Sequence, residues 1–248
     1  MEDRNMKAVE HFEELRKRLI ITLAVFMLFL TLSFTFVQDI YHYLVKGLPF
    51  KLALLGPGDI IVVYLTIAAV IAGAGTIPVA AHQLWLFVKP ALSQSERKVA
   101  LAYIPALFLL FLTGLAFGYF VLFPIILSFL MSLSGDMFQT FFTTEKYFKF
   151  LLNMTLPFGL LFEMPVVMMF LTSLGVVNPY KLRAFRKYSY FALIVLSVFM
   201  TPPDFVSDVL VIVPLILLYE LSVSLSKIVY KRKMAKQAEE EAEWQALG

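Results

Sequence analysis

The sequence predicts an all-α integral membrane protein with six transmembrane helices of unequal length, and three observations carry that reading. Hydrophobic residues make up 60% of the 248 positions and mean hydropathy is +0.81. Uncharged stretches run 19–37, 60–88, 99–135, 150–162 with 164–180, 188–203, and 209–219 with 221–226. Lysine and arginine are concentrated between alternate pairs of these stretches. A helix of about 20 residues crosses a hydrocarbon core of about 30 Å with its backbone groups paired internally, so uncharged runs of this length belong in a bilayer. A soluble chain of this size has no core able to hide six of them.

The spans are placed at about 19–37, 60–86, 99–130, 150–174, 188–202 and 206–226, within a membrane domain over 1–226. The segments outside them hold 5, 2, 3, 2, 4, 0 and 5 basic residues in chain order. Short basic segments stay on the cytoplasmic side. Residues 1–18, 89–98, 181–187 and 227–248 are therefore predicted to face the cytoplasm, with both termini inside. The net charge of +3 carries no meaning as a total, because its distribution sets topology. No basic soluble domain exists to hold a nucleic acid. The first span is too long for a signal-peptide core, and Ser33-Phe34-Thr35-Phe36-Val37 offers no small-x-small cleavage site, so it reads as a retained anchor. With no cysteine, disulfides, thiolate metal sites and cysteine nucleophiles are excluded.

Span lengths are uneven. Residues 99–135 would make a helix of about 55 Å, which must tilt, project, or kink at Pro105 or Pro124. Residues 60–88 are also long, with Pro78 as a bend. The stretch 188–203 would reach only about 24 Å, and Asp208 to Lys227 brackets another short run interrupted by Glu220. The last two helices are thus predicted to be short, beside a thinned bilayer or a water-filled dent. Residues 38–59 form a turn-rich outer loop, and 136–149 a second one in which Thr144 and Glu145 cap helix four. Residues 227–248 are a cytoplasmic polar tail, helical or disordered, whose acidic end reads as a solvated segment.

The first candidate residues lie in two predicted cytoplasmic segments. His11-Phe12-Glu13-Glu14-Leu15-Arg16-Lys17-Arg18-Leu19 runs into span one, with Glu13–Lys17 and Glu14–Arg18 as favourable i,i+4 pairs. Phe87-Val88-Lys89-Pro90-Ala91-Leu92-Ser93-Gln94-Ser95-Glu96-Arg97 breaks and restarts helices at Pro90 and Ser93, and Glu96 enters a first helical turn, where an acid suits the dipole. On their own these are a salt-bridged solvated helix and a helix cap. Within the spans, Glu163 is a carboxyl group that must be protonated, paired or facing a wet cavity. Gly114-x-x-x-Gly118 permits close helix approach, chiefly for internal packing. His82 and Gln83 read as core hydrogen bonders, and Arg186-Lys187 as topological signals. Glu220 faces either the bundle or the inner surface.

Taken together, these segments resemble the TatC family, the multi-spanning subunit of the twin-arginine protein translocase. His11…Glu14-Leu15-Arg16…Arg18-Leu19 is similar to that family's opening motif, and Phe87-x-x-Pro90-x-Leu92-x-x-x-Glu96-Arg97 to its first cytoplasmic loop. Phe162-Glu163-x-Pro165 and Thr201-Pro202-Pro203-Asp204 are two further matches, in the right order. The resemblance implies a curved, concave bundle in the cell's inner (cytoplasmic) membrane. It implies a receptor that binds the paired arginines of signal peptides on folded cargo and assembles with single-span TatA- and TatB-type subunits in a multi-copy complex.

By the same resemblance, Glu14 and Glu96 are the arginine-binding pair. An arginine fork is best met by a carboxylate, which it can engage bidentately. Arg16, Arg18 and Arg97 would hold those carboxylates, and Phe87 would pack against an apolar part of the signal. Glu163, Thr201 and Asp208 would make the intramembrane polar contacts with partner subunits, although glutamine is common in the family at the position of Asp208. Pro90, Pro165, Pro202, Pro203 and Asp204 are assigned structural roles.

The competing class is a proton- or ion-coupled secondary transporter using Glu163, which would require a carboxylate-lined path and usually internal repeats; neither is traceable. An intramembrane enzyme is excluded, since there is no Gly-x-Ser-x-Gly elbow, paired metal-binding histidines or aspartate dyad. No catalytic residue, metal or cofactor is predicted. Without a phosphate-binding Gly-x-x-x-x-Gly-Lys loop, energy would come from the membrane potential or proton gradient.

Overall fold

Long helices dominate the chain, and Pro78, Pro105, Pro157 and Pro214 lie inside them without ending them. The computed structural model describes residues 2–48, 50–89, 94–134 and 141–247, with side chains described from Phe12 onward apart from 94–100, 102, 134, 236–237 and 239–247. Its elements are α1 (Glu2–Thr35), α2 (Val37–Val45), α3 (Asp59–Val88), α4 (Gln94–Phe117), a π-helical turn (Gly118–Leu122), α5 (Phe123–Ser134), α6 (Thr144–Leu161), α7 (Met164–Ser173), α8 (Pro179–Ala184), α9 (Arg186–Met200) and α10 (Phe205–Leu247). The protein is all-helical across the described residues, apart from an isolated bridge between Ala53 and Thr143.

Among the described residues, five stretches are long and apolar enough to cross a membrane: Phe12–Thr35, Asp59–Val88, Tyr103–Leu133, Thr144–Ser173 and Phe205–Ala235. The predicted span 188–202 corresponds to α9, a helix of 15 residues and so only about 22 Å long. The expectation that both final helices are short is corrected by α10, which runs 43 residues without interruption. Only the uncharged run between Asp208 and Lys227, interrupted by Glu220, is short. Beyond Pro214 the sequence has no proline or glycine before Gly248, and its lysine, alanine, glutamate and glutamine favour helix, so the tail continues the span as one rod.

The chain forms two compact units, residues 1–112 with 128–152 and residues 113–127 with 153–248. In the first, α1 packs along α3. Gly75 makes room for the Phe29 ring, which would lie 3.2 Å from a Cβ at that position. Tyr41 of α2 stacks on Phe148 at 5.4 Å and meets Tyr64 edge-on at 5.7 Å. The two predicted outer loops are tied together: Ala53 N–H donates to Phe142 O at 2.9 Å, Thr144 N–H donates to Ala53 O at 2.8 Å, and Phe50 stacks on Phe142 at 4.4 Å. Helix α6 is capped by Thr143, whose Oγ1 accepts from Lys146 N–H at 3.3 Å. The predicted cap was the next residue, Thr144, whose hydroxyl instead donates to Ala53 O.

In the second unit the glycine pair fixes helix approach. A Cβ on Gly114 would lie 2.4 Å from Phe158 O, and one on Gly118 2.7 Å from Met154 O and Thr155 Cα. The Gly-x-x-x-Gly face is therefore spent on internal packing against α6. Pro124 explains the π turn: it lacks an N–H and its ring displaces the carbonyl four residues back, and Phe123 N–H bonds Gly118 O, five residues back. Thr172 and Ser226 hydroxyls join α7 to α10 at 2.6 Å. Helix α7 stops at Gly175, whose φ of +80° suits glycine; Val176 N–H bonds Leu171 O and Gly175 N–H bonds Thr172 O, a Schellman end. Asn178 then caps α8 by accepting from Tyr180 N–H at 2.9 Å.

Candidate functional site

The first cluster grows from the α1–α3 packing. Arg18 lies one helical turn beyond Glu14 and faces α3, so its planar fork reaches two partners. Its Nη2 donates to Glu14 Oε1 at 3.0 Å and its Nη1 to Gln83 Oε1 at 3.2 Å. Glu14 is thereby held by a guanidinium that is itself fastened to the neighbouring helix. The side chains of Arg18 and Glu14 are 24% and 35% exposed, so the pair is sheltered without being sealed. Arg18 Nε is buried without a hydrogen-bond partner. Gln83, expected only as a core hydrogen bonder, is the residue that fixes this geometry.

The other predicted members of this group lie close in sequence but are not all joined to it. Arg16 is exposed on α1, where Glu13, Arg16, Lys17, Ile20 and Ile21 line a shallow groove of about 310 Å³. Phe87 is half-buried, one turn after Gln83 on the same helix. Glu96 and Arg97 belong to the first turn of α4, but their side chains lie outside the described residues, as does Pro90.

The second cluster lies in the other unit. Pro165 cannot donate to Leu161, and helix breaks there: α6 ends at Leu161, α7 begins at Met164, and Phe162-Glu163 make the turn between them. Glu163 N–H reaches Leu160 O at 3.2 Å, and its own carbonyl accepts from Val167 at 3.0 Å. Both carboxyl oxygens of Glu163 are buried with no hydrogen-bond partner. They therefore make no hydrogen bond to Thr201 or Asp208. Those two residues pair with each other: the Thr201 hydroxyl donates to Asp208 Oδ1 and also lies 3.0 Å from Ser197 O. Asp204 Oδ1 accepts from Ser207 N–H at 2.7 Å and so caps α10, after the turn made by Pro202-Pro203. Its second oxygen, Oδ2, is buried and unpaired.

A third group was not assembled from sequence. Arg186 at the start of α9 forms an ion pair with Glu220 of α10, and Tyr190 O–H donates to the other Glu220 oxygen at 2.5 Å. By sequence Arg186 is only a topological signal, and Glu220 faces either the bundle or the inner surface. The available clue was that Arg186 and Tyr190 are four residues apart and share a helix face. Their common partner depends on the α9–α10 register, which no local pattern encodes.

Residues 10–214 match the family model described as Sec-independent protein translocase protein (TatC). Among curated relatives, the chain is 57% identical over 237 residues to Sec-independent protein translocase protein TatCd of Bacillus subtilis (strain 168), covering 96% of this chain and 98% of that protein. It is 42% identical to TatCy of the same organism, over 96% of this chain and 95% of that one. Among solved structures, one described as "Crystal Structure of Twin Arginine Translocase Receptor- TatC" superposes with a TM-score of 0.78 at 32% identity, covering 88% of this chain and 99% of that chain. The matches extend through both helix clusters and nearly the full length, so the chain is a multi-pass membrane component of a protein translocase and belongs to the TatC family.

Proposed function

We propose that this chain is the receptor of a folded-protein export translocase in the inner (cytoplasmic) membrane. It has six spans within residues 1–226, a tail over 227–248, and both termini in the cytoplasm. In this reading Glu14 and Glu96 grip the two arginines of a signal peptide. Arg16, Arg18 and Arg97 hold the two carboxylates, Pro90 shapes the loop, and Phe87 meets an apolar part of the signal. Single-span TatA- and TatB-type subunits dock in the membrane beside Glu163, Thr201 and Asp208.

The observation that carries the reading is the Glu14–Arg18–Gln83 chain of hydrogen bonds. A carboxylate preset by an interhelical brace loses little freedom when a guanidinium docks on it. Hydrogen bonds to charged groups contribute about 1.5–3 kcal/mol. Two such contacts therefore separate an arginine pair, which can bind each carboxylate bidentately, from a lysine pair, which cannot. The unpartnered carboxyl of Glu163 supports the second part: a buried polar group left unsatisfied is costly, and a polar side chain from another helix would relieve that cost.

The test is twin-arginine peptide binding to the purified chain and to Glu14→Ala and Glu96→Ala. Each substitution is expected to weaken binding by about ten-fold. Unchanged affinity in both would remove the proposal.

A further inference from the structure

Where α8 meets α10, basic residues, most of them exposed, flank an aromatic seam that neither proposed binding role uses. Two contacts fix the short helix: Tyr219 O–H donates to Leu182 O at 3.0 Å, and Tyr180 meets Tyr230 edge-on with ring centroids 5.8 Å apart. Tyr219 and Tyr230 are about three turns apart on α10, so both point along one face. The sequence then dictates what surrounds them. Lys181 and Arg183 bracket Leu182 on α8, while Lys227 and Lys231 lie a turn before and one residue after Tyr230 on α10. Lys181, Arg183 and Lys231 are exposed and Lys227 is half-buried. Among the described residues none of the four pairs with a carboxylate; the two ion pairs found are Arg18–Glu14 and Arg186–Glu220.

The setting identifies the occupant. Ser226 is fully buried and Lys227 begins the charged part of α10, so the cluster lies where an apolar span gives way to polar chain. Tyr180 on α8, and Phe185 and Tyr188 just after it, are 52%, 57% and 60% exposed, and Lys187 lies 5.0 Å over the Tyr188 ring. Cations and open aromatic faces on the same short stretch of chain suit a ligand that is anionic at one end and apolar at the other. An acidic peptide in water would leave the rings unused. We propose that this α8–α10 seam binds the phosphate headgroup of an anionic phospholipid, with Lys181, Arg183, Lys227 and Lys231 contacting the phosphate and the rings resting among the upper acyl carbons. The proposal needs only the membrane location of the chain and is independent of signal-peptide recognition.

Native mass spectrometry of the purified full chain, titrated with phosphatidylglycerol or phosphatidylcholine of matched acyl chains, tests it. The chain is expected to retain phosphatidylglycerol roughly ten-fold more strongly, since each basic residue near an anionic surface contributes appreciably. Combined Lys181→Gln, Arg183→Gln, Lys227→Gln and Lys231→Gln should abolish the preference. The charge-keeping set Lys181→Arg, Lys227→Arg and Lys231→Arg should preserve it, as should Lys146→Gln with Lys149→Gln on α6. Should the fourfold variant lose its helical circular dichroism, the α8 pair and the α10 pair are tested separately, each expected to cut the preference about three-fold. Equal retention of the two lipids would overturn the proposal, as would a preference unchanged in folded variants. Displacement by inorganic phosphate at the lipid's own concentration, or an equal loss from the α6 variant, would show a general anion effect and overturn it as well.

Discussion

Arg18 and Gln83, 65 residues apart in sequence, are joined by a 3.2 Å hydrogen bond that braces α1 against α3. The same guanidinium holds Glu14 at 3.0 Å, so the orientation of that carboxylate depends on a residue with no charge of its own.

Replacing Gln83 with leucine keeps the volume and removes the acceptor. Arg18 then has one partner fewer, and the Glu14 carboxylate loses its fixed direction. Twin-arginine peptide affinity should fall about three- to ten-fold, as loss of a single hydrogen bond of about 1 kcal/mol implies. The folded chain should survive in detergent, as judged by size-exclusion profile and helical circular dichroism. Isothermal titration of the peptide checks this.

Gly114 and Gly73 should respond in opposite ways to a methyl group. At Gly114 the new Cβ would meet the Phe158 carbonyl oxygen at 2.4 Å, and backbone cannot swing aside as a side-chain tip can. Gly114→Ala should therefore destabilise the second unit by about 1–3 kcal/mol. At Gly73 nothing lies within 4 Å, so Gly73→Ala should be neutral or slightly stabilising through its better helix propensity. Unfolding midpoints of the two variants in mixed detergent make the comparison.

Arg186 and Glu220 form a cross-helix pair about one-third exposed at each side chain. Removing either alone strands the other, and Tyr190 with it when Glu220 goes. A double-mutant cycle with Arg186→Met and Glu220→Leu should give a coupling energy of about 1–3 kcal/mol, the double variant being less damaged than the singles sum to. Thermal unfolding of the four proteins measures it.

Much of the fold was legible because a bilayer imposes a strict rule on sequence: uncharged runs of sufficient length become helices. Pro124 also announced an irregularity in its span, although it took the form of a π turn that propensity alone does not name; the break at Pro165 was not anticipated. The tail was harder. The change from Ser226 to Lys227 marks the end of apolar sequence, and nothing in that change tells whether the helix ends too. Pairings between helices were the least accessible. Glu14–Arg18 follows from i,i+4 spacing, whereas Arg18–Gln83, Thr172–Ser226 and Arg186–Glu220 depend on the register of packed helices. That register is set by three-dimensional packing and leaves no local signature; even Gly114-x-x-x-Gly118 signals close approach without naming its partner helix.

Co-purification from membranes most directly tests whether this chain reads an arginine pair at Glu14 and Glu96. A precursor carrying a twin-arginine signal should be retained by the wild-type chain, its twin-lysine variant should be lost, and Glu14→Ala combined with Glu96→Ala should retain neither. Equal recovery of both precursors, or undiminished recovery by the double variant, would contradict it.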